Sequence, residues 1–114
     1  MAIKQFLFLQ KNPKNKYNAI QTTVDGVTFD SGKEANRYLE LKLLQRAGEI
    51  SDLKLQVPYE FIVNGIKVCK YYADFVYQEK GKEVVEDTKG KITDVYRIKK
   101  KLMKAIYNIE VLET

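Results

Sequence analysis

The sequence predicts an α/β fold in the order helix, several strands, helix, strand. Three observations predict it. Apolar residues recur at helical spacing twice, near residues 32–47 and 94–107, each time behind a capping signal. Between these segments, β-branched and aromatic residues form runs broken by Asn-Gly and Gly turn signals. No segment repeats another, and 114 residues suit one modest core.

The elements follow in order. Lys11 to Tyr17 is polar and basic, with Pro13 and two Asn, and reads as a loop or flexible arm. Thr22 to Phe29 reads as a hairpin turning at Asp25-Gly26. Ser31 offers an N-cap oxygen, and Glu34 stands three residues later at the capping-box position. The spacing of Ala35, Tyr38, Leu39, Leu43 and Ala47 predicts a helix with that apolar face, ended by Gly48. Ile50 to Gln56 alternates loosely before Pro58. Tyr59 to Val63 and Ile66 to Cys69 form a second hairpin about Asn64-Gly65, and Lys70 to Tyr77 reads as a strand. A polar turn with Gly81 leads to a strand over Glu83 to Lys89. Thr93-Asp94 then opens a helix to about Tyr107, with Val95, Ile98, Leu102 and Ile106 as its apolar face. Asn108 to Leu112 reads as a last short strand.

Composition excludes several chemistries. With no His there is no Ser-His-Asp or Cys-His nucleophile and no imidazole zinc site. A lone Cys69 forms neither an internal disulfide nor a cysteine cluster, which suggests a reducing compartment. No run approaches the ~20 apolar residues of a membrane-spanning helix, and no targeting segment stands out. The expectation is a cytoplasmic protein that does not engage membranes. The formal charge of +5 is uneven. Residues 1–16 carry four lysines and no acid, including Lys14 and Lys16. Residues 17–87 carry nine basic and twelve acidic groups, and residues 88–106 carry seven basic groups against Asp94. Basic ends of this kind suit phosphate, although a solvated lysine-rich helix face has the same composition. The organisation expected is a basic arm over 1–16 and a single domain over 17–114.

Asp74 is an acid inside the apolar run Tyr72 to Val76. Farther on, Val85, Asp87 and Lys89 share one face of a strand, and Glu86 points the other way unless a bulge intervenes. Two acids in core-like strands require a partner, because an unpaired buried charge is costly. A divalent cation together with Lys89 would supply it. Hard oxygen ligands suit Mg²⁺ or Mn²⁺, and such a site suits phosphodiester hydrolysis without His.

Asp74, then twelve residues, then Asp87-Thr88-Lys89 resembles the signature of the PD-(D/E)XK nuclease superfamily, which includes restriction endonucleases and Holliday junction resolvases. The stretch from Lys16-Tyr17-Asn18-Ala19 to Tyr96 also resembles small phage-encoded members, and the likeness covers about Lys16 to Leu112. The resemblance implies a restriction-endonuclease-like mixed β-sheet flanked by helices, with core order αβββαβ. It implies Asp74 and Asp87 as metal ligands, the Thr88 carbonyl as a further oxygen, and Lys89 as the catalytic lysine. It implies Glu34 as an outer or second-metal acid, a role that a capping-box acid need not exclude. Ala73, not Pro, precedes Asp74. The adjacent pair Glu86-Asp87 leaves the register open, and Asp87 is preferred for its D-X-K spacing. Gln56 resembles a motif position of the phage group and is assigned a supporting role with Glu86.

The resulting expectation is an Mg²⁺-dependent DNA endonuclease acting on branched DNA such as a Holliday junction. It would act as a homodimer, in the host cytoplasm if phage-encoded, with Lys14, Lys16, Lys91, Arg97, Lys100 and Lys101 on phosphates. A nonenzymatic nucleic-acid-binding module is the alternative, because Tyr72 to Tyr77 resembles an aromatic strand used for base stacking. A phage accessory protein acting through protein contacts is a further one.

Overall fold

The structure is a computed structural model that describes residues 11–12 and 21–114. Lys14 and Lys16, and most of the expected basic arm, lie outside the described residues. The chain divides into two compact units, Met1–Arg46 and Ala47–Thr114.

The first unit holds a three-stranded antiparallel sheet, β1 (Lys11–Asn12), β2 (Gln21–Val24) and β3 (Val27–Phe29), followed by helix α1 (Gly32–Arg46). Lys11 and Asn12, expected in a loop, pair with Thr22 and Gln21. Asp25 and Gly26 both take positive φ, as a two-residue turn between right-twisted strands demands. The Glu34 amide donates to Ser31 Oγ at 3.2 Å, so the expected cap is in place. The buried stripe of α1 is Glu34, Ala35, Tyr38 and Leu41. Leu43, expected in the core, is exposed. Ala35 and Tyr38 are common to the expected and the observed face, Tyr38 packing on Phe29 with ring centroids 5.1 Å apart, and Glu34 and Leu41 complete the buried stripe in place of Leu43.

The second unit is built on a mixed sheet in the order β4 (Ser51–Val63), β5 (Ile66–Glu79), β6 (Lys82–Asp87), β7 (Leu112–Glu113). The first three strands are antiparallel, and β7 runs parallel to β6. A parallel neighbour needs a crossover, and α2 (Asp94–Tyr107) supplies it. The mixed α/β fold and the order αβββαβ are those the sequence predicts. Several boundaries differ. The last strand, expected over Asn108 to Leu112, is Leu112–Glu113, because Asn108 is taken up in closing α2. The strand expected to break before Pro58 runs through it, because β4 is the edge strand and one of its flanks needs no amide donors. The strand expected to reach Lys89 stops at Asp87, so Thr88 and Lys89 lie beyond its ladder.

Thr93 caps α2, its hydroxyl accepting from the Tyr96 amide at 3.1 Å, and Asn108 closes it in the left-handed conformation. The face that α2 turns to the sheet is not the expected one. Tyr96 and Met103 are buried against Phe61, Tyr71, Ala73, Val76, Val85 and Val111, and Tyr107 packs on Tyr59 and Phe61. Val95 and Ile98 are 61% and 59% exposed, Ile106 is exposed, and Leu102 packs only at the margin. Both stripes have helical spacing. The aromatic one wins because its hydroxyls find acceptors, Tyr96 at Glu113 (2.9 Å) and Tyr107 at the Glu60 carbonyl.

Strand β5 changes sides as it passes the middle of the sheet. Tyr71 and Ala73 face the core under α2, and so does Val76, which an unbroken period of two would send to the opposite face. The pairs Leu55↔Phe75 and Val57↔Ala73 bracket this break, so Gln56 lies opposite Asp74. Gln56 has φ 51°, a left-handed conformation rare inside a strand.

Candidate functional site

The break in β5 and the end of β6 meet at one place. Asp74 is half-buried there. Its Oδ2 accepts from the Thr88 amide at 2.9 Å, and its Oδ1 accepts from Gln56 Nε2 at 3.0 Å. The first bond ties Asp74 to the residue following Asp87. Asp87 itself is 1% exposed. Its Oδ2 accepts from Tyr71 Oη at 2.7 Å and lies 3.5 Å from Lys89 Nζ. Its Oδ1 is buried and has no hydrogen-bond partner. A bare carboxylate oxygen at such depth is expensive unless a cation meets it. Asp74, Asp87, Thr88 and Lys89 are therefore neighbours, drawn together by strand pairing and by the short segment after β6.

Lys89 is held from two sides. Besides Asp87, its ammonium lies 4.6 Å from the centre of the Tyr96 ring, a favourable cation–π arrangement. Its amide donates to the Thr114 carbonyl at 3.3 Å, and the Thr114 amide to the Asp87 carbonyl at 3.0 Å, so the C-terminal residues clamp this segment. Burial pushes the Tyr71 hydroxyl pKa upward, and its bond to anionic Asp87 pushes it further. Burial does the same to Tyr96, reinforced by its bond to Glu113 and by the charge of Asp87. Both tyrosines therefore stay protonated donors. Glu113 is held below the usual carboxylate range, first by Lys100 and then by Tyr96.

Glu86 lies on the other side of β6. It is fully buried, with Oε2 accepting from Tyr77 Oη at 2.6 Å and Oε1 from Thr114 Oγ1 at 3.0 Å. Both of its oxygens serve the sheet. Glu86 therefore has both oxygens engaged, where Asp87 has one bare. Glu34 is buried on the first turn of α1, in the first unit. Lys91, Arg97 and Lys101 are exposed and Lys100 is partly so. Arg97 pairs with Asp94 at 2.9 Å and Lys100 with Glu113 at 2.8 Å. Of the aromatic strand Tyr72 to Tyr77, Phe75 is buried and so is Tyr77, its hydroxyl on Glu86, while Tyr72 is exposed.

Among the described residues, no group of three or more His, Cys, Asp or Glu side chains comes together as metal ligands. The centre in this unit has two carboxylates. That donor set suits Mg²⁺ or Mn²⁺, which bind through one or two carboxylates and keep several waters. The orphaned Oδ1 of Asp87 fits such an ion.

Sequence reasoning did not assign Tyr71, Tyr96 or Thr114 to this place. Nothing in their spacing links them to Asp87 or Lys89, because the sheet register and the crossover helix make those contacts.

The profile of the family described as "Protein of unknown function (DUF1064)" matches residues 14–112, and the chain belongs to that family. No curated protein and no solved structure matches it. Among the described residues, no helix is long and apolar enough to cross a membrane.

Proposed function

We propose that this member of the DUF1064 family is a metal-dependent DNA endonuclease that hydrolyses phosphodiesters in branched DNA, of the Holliday junction type. One observation carries the reading. Asp74, Asp87 and Lys89 are neighbours where β6 ends beside the middle of β5, and a buried oxygen of Asp87 is left without a partner. Asp74 and Asp87 would hold Mg²⁺ or Mn²⁺, with the Thr88 carbonyl as a further oxygen. Bound there, the ion lowers the pKa of a water and neutralises charge on the phosphoryl group.

The chain's own residues do the rest. Tyr71 fixes one oxygen of Asp87 and leaves the other, unpartnered oxygen available, so that it would hold the ion. Gln56 and the Thr88 amide fix Asp74, so neither carboxylate reorients at the moment of reaction. Lys89 carries a positive charge beside the reacting phosphate, where it orients the attacking water or stabilises the charge that develops. Its contact with Tyr96 keeps the ammonium from swinging into solvent. Lys91, Arg97, Lys100 and Lys101, with Lys14 and Lys16 of the arm, meet the DNA backbone. Cutting both strands of a junction requires two centres, which a homodimer supplies.

The test incubates the protein with labelled four-way junction, duplex and single strand, in Mg²⁺, Mn²⁺ or EDTA. Metal-dependent cutting of the junction, lost in Asp87→Ala, is the expected result. Binding without cutting in every metal overturns the reading.

A further inference from the structure

A groove of about 560 Å³ runs between α2 and the segment 109–113. Its floor is aliphatic, with Ile92, Ile109 and Val111. Arg97, Lys100, Lys101 and Lys104 stand along it, against the acids Glu110 and Glu113. The balance is positive, and the acids are engaged by lysines: Glu113 by Lys100 at 2.8 Å and Glu110 by Lys104 at 3.5 Å. These lysine side chains are 38% and 53% exposed, so they can turn to an incoming anion.

The groove shares a wall with the candidate centre. Tyr96 lines it, and the same ring carries Lys89. Glu113 lines it and pairs with Asp87 in the β6–β7 ladder. A polyanion lying at Lys89 therefore continues along α2.

The apolar floor selects the form of that polyanion. A duplex keeps its bases stacked inside and offers its phosphates and groove edges. An unpaired strand offers bases and sugars that gain from apolar contact, along with the same phosphates.

We infer that this groove holds an unpaired DNA strand, its phosphates on Lys101, Lys104 and Arg97 and its bases and sugars on the aliphatic floor. As the arm that leads a branched substrate to Asp87 and Lys89, this strand rests on the nuclease reading above. As a binding site, it does not.

The experiment measures anisotropy of a labelled oligothymidylate and of a labelled blunt duplex with the full chain in EDTA, over a series of salt concentrations. The single strand binds about tenfold more tightly than the duplex at equal salt, within the range that aromatic and apolar contacts to a few bases give. Lys101→Glu/Lys104→Glu weakens single-strand binding. It also makes the slope of log K against log salt shallower by about 1.4, at about 0.7 for each phosphate no longer neutralised. Ile92→Ser weakens binding and leaves that slope unchanged. All these positions are on the surface, and unchanged thermal melts show that the variants fold. Equal affinity for duplex and single strand overturns the inference, as does a charge-reversal variant with unaltered affinity and slope. Single-strand binding as described, with no cutting in any metal, refutes the nuclease reading and leaves the groove standing. Junction cutting by a protein that ignores the single strand does the reverse.

Discussion

Asp87→Asn keeps the shape of a buried side chain and removes its charge, which separates metal binding from folding. In EDTA the change has opposing effects. Neutralising a buried carboxylate with one bare oxygen removes a desolvated charge, but the amide that replaces it still leaves a buried polar atom without a partner, so the relief is only on the order of 1 kcal/mol. Against this, the Tyr71 hydroxyl loses a charged acceptor and Lys89 loses its ion partner. Lys89 is 31% exposed, so water takes over part of that role, and the two losses together come to roughly 1–2 kcal/mol. The variant should therefore melt within about 1 kcal/mol of the parent. With Mg²⁺ at one hundred times its dissociation constant, the parent gains about 2.7 kcal/mol. For a chain of this size that is roughly 10 °C in Tm. The variant, lacking the anionic oxygen, should gain almost nothing. The assay is a thermal melt by circular dichroism in EDTA and across an Mg²⁺ and Mn²⁺ series. Three outcomes refute the reasoning: a parent Tm indifferent to both metals, a variant that gains as much as the parent, and a variant several kcal/mol less stable in EDTA. The last would make Asp87 a structural acid.

Other predictions concern the neighbours of Asp87. Lys89→Ala should abolish turnover and keep the Mg²⁺-dependent rise in Tm; loss of that rise would make the lysine structural. Tyr71 and Tyr96 have pKa values raised from 10.0, mainly by burial. An unfolded tyrosine ionises near pH 10, so the stability these groups contribute is complete below that pH and is lost as pH rises above it. The double change to Phe should flatten urea-denaturation stability above pH 10; an alkaline decline as steep as in the parent would exclude these groups as its source. Thr93→Ala removes the cap of α2 and should cost about 1 kcal/mol in the same urea titration, with no change in the m-value. A loss under about 0.3 kcal/mol would mean that the cap is replaced by water.

The local code of this chain is legible without coordinates. Asp25-Gly26 and Asn64-Gly65 turn as two-residue hairpins because each pair tolerates positive φ. Ser31 and Thr93 cap the helices they precede because their oxygens reach the amides three residues on. Asp74, Asp87 and Lys89 stand out by their spacing and by the cost of placing acids in apolar strands, and strand pairing brings them together.

Which face of an element is buried is a different kind of fact. Helix α2 has two stripes of helical period, Val95–Ile98–Leu102–Ile106 and Tyr96–Lys100–Met103–Tyr107. Hydropathy favours the first. The fold buries Tyr96 and Met103 of the second, because their neighbours on the sheet supply acceptors for the tyrosine hydroxyls as well as apolar surface. In β5 the period of two predicts one inward face along the whole strand. The register with β4 places left-handed Gln56 against Asp74, and the inward face changes sides there. Burial likewise parts the two adjacent acids. Glu86 has both oxygens engaged by Tyr77 and Thr114, and Asp87 keeps one bare. The elements, their turns and caps, and the acids and lysine of the candidate centre are written in the order of residues, since these depend on neighbours within a few positions. Which oxygen lacks a partner, and which aromatic rings hold Asp87 and Lys89, is settled only in the folded chain, since those contacts join residues that the sheet and its crossover bring together.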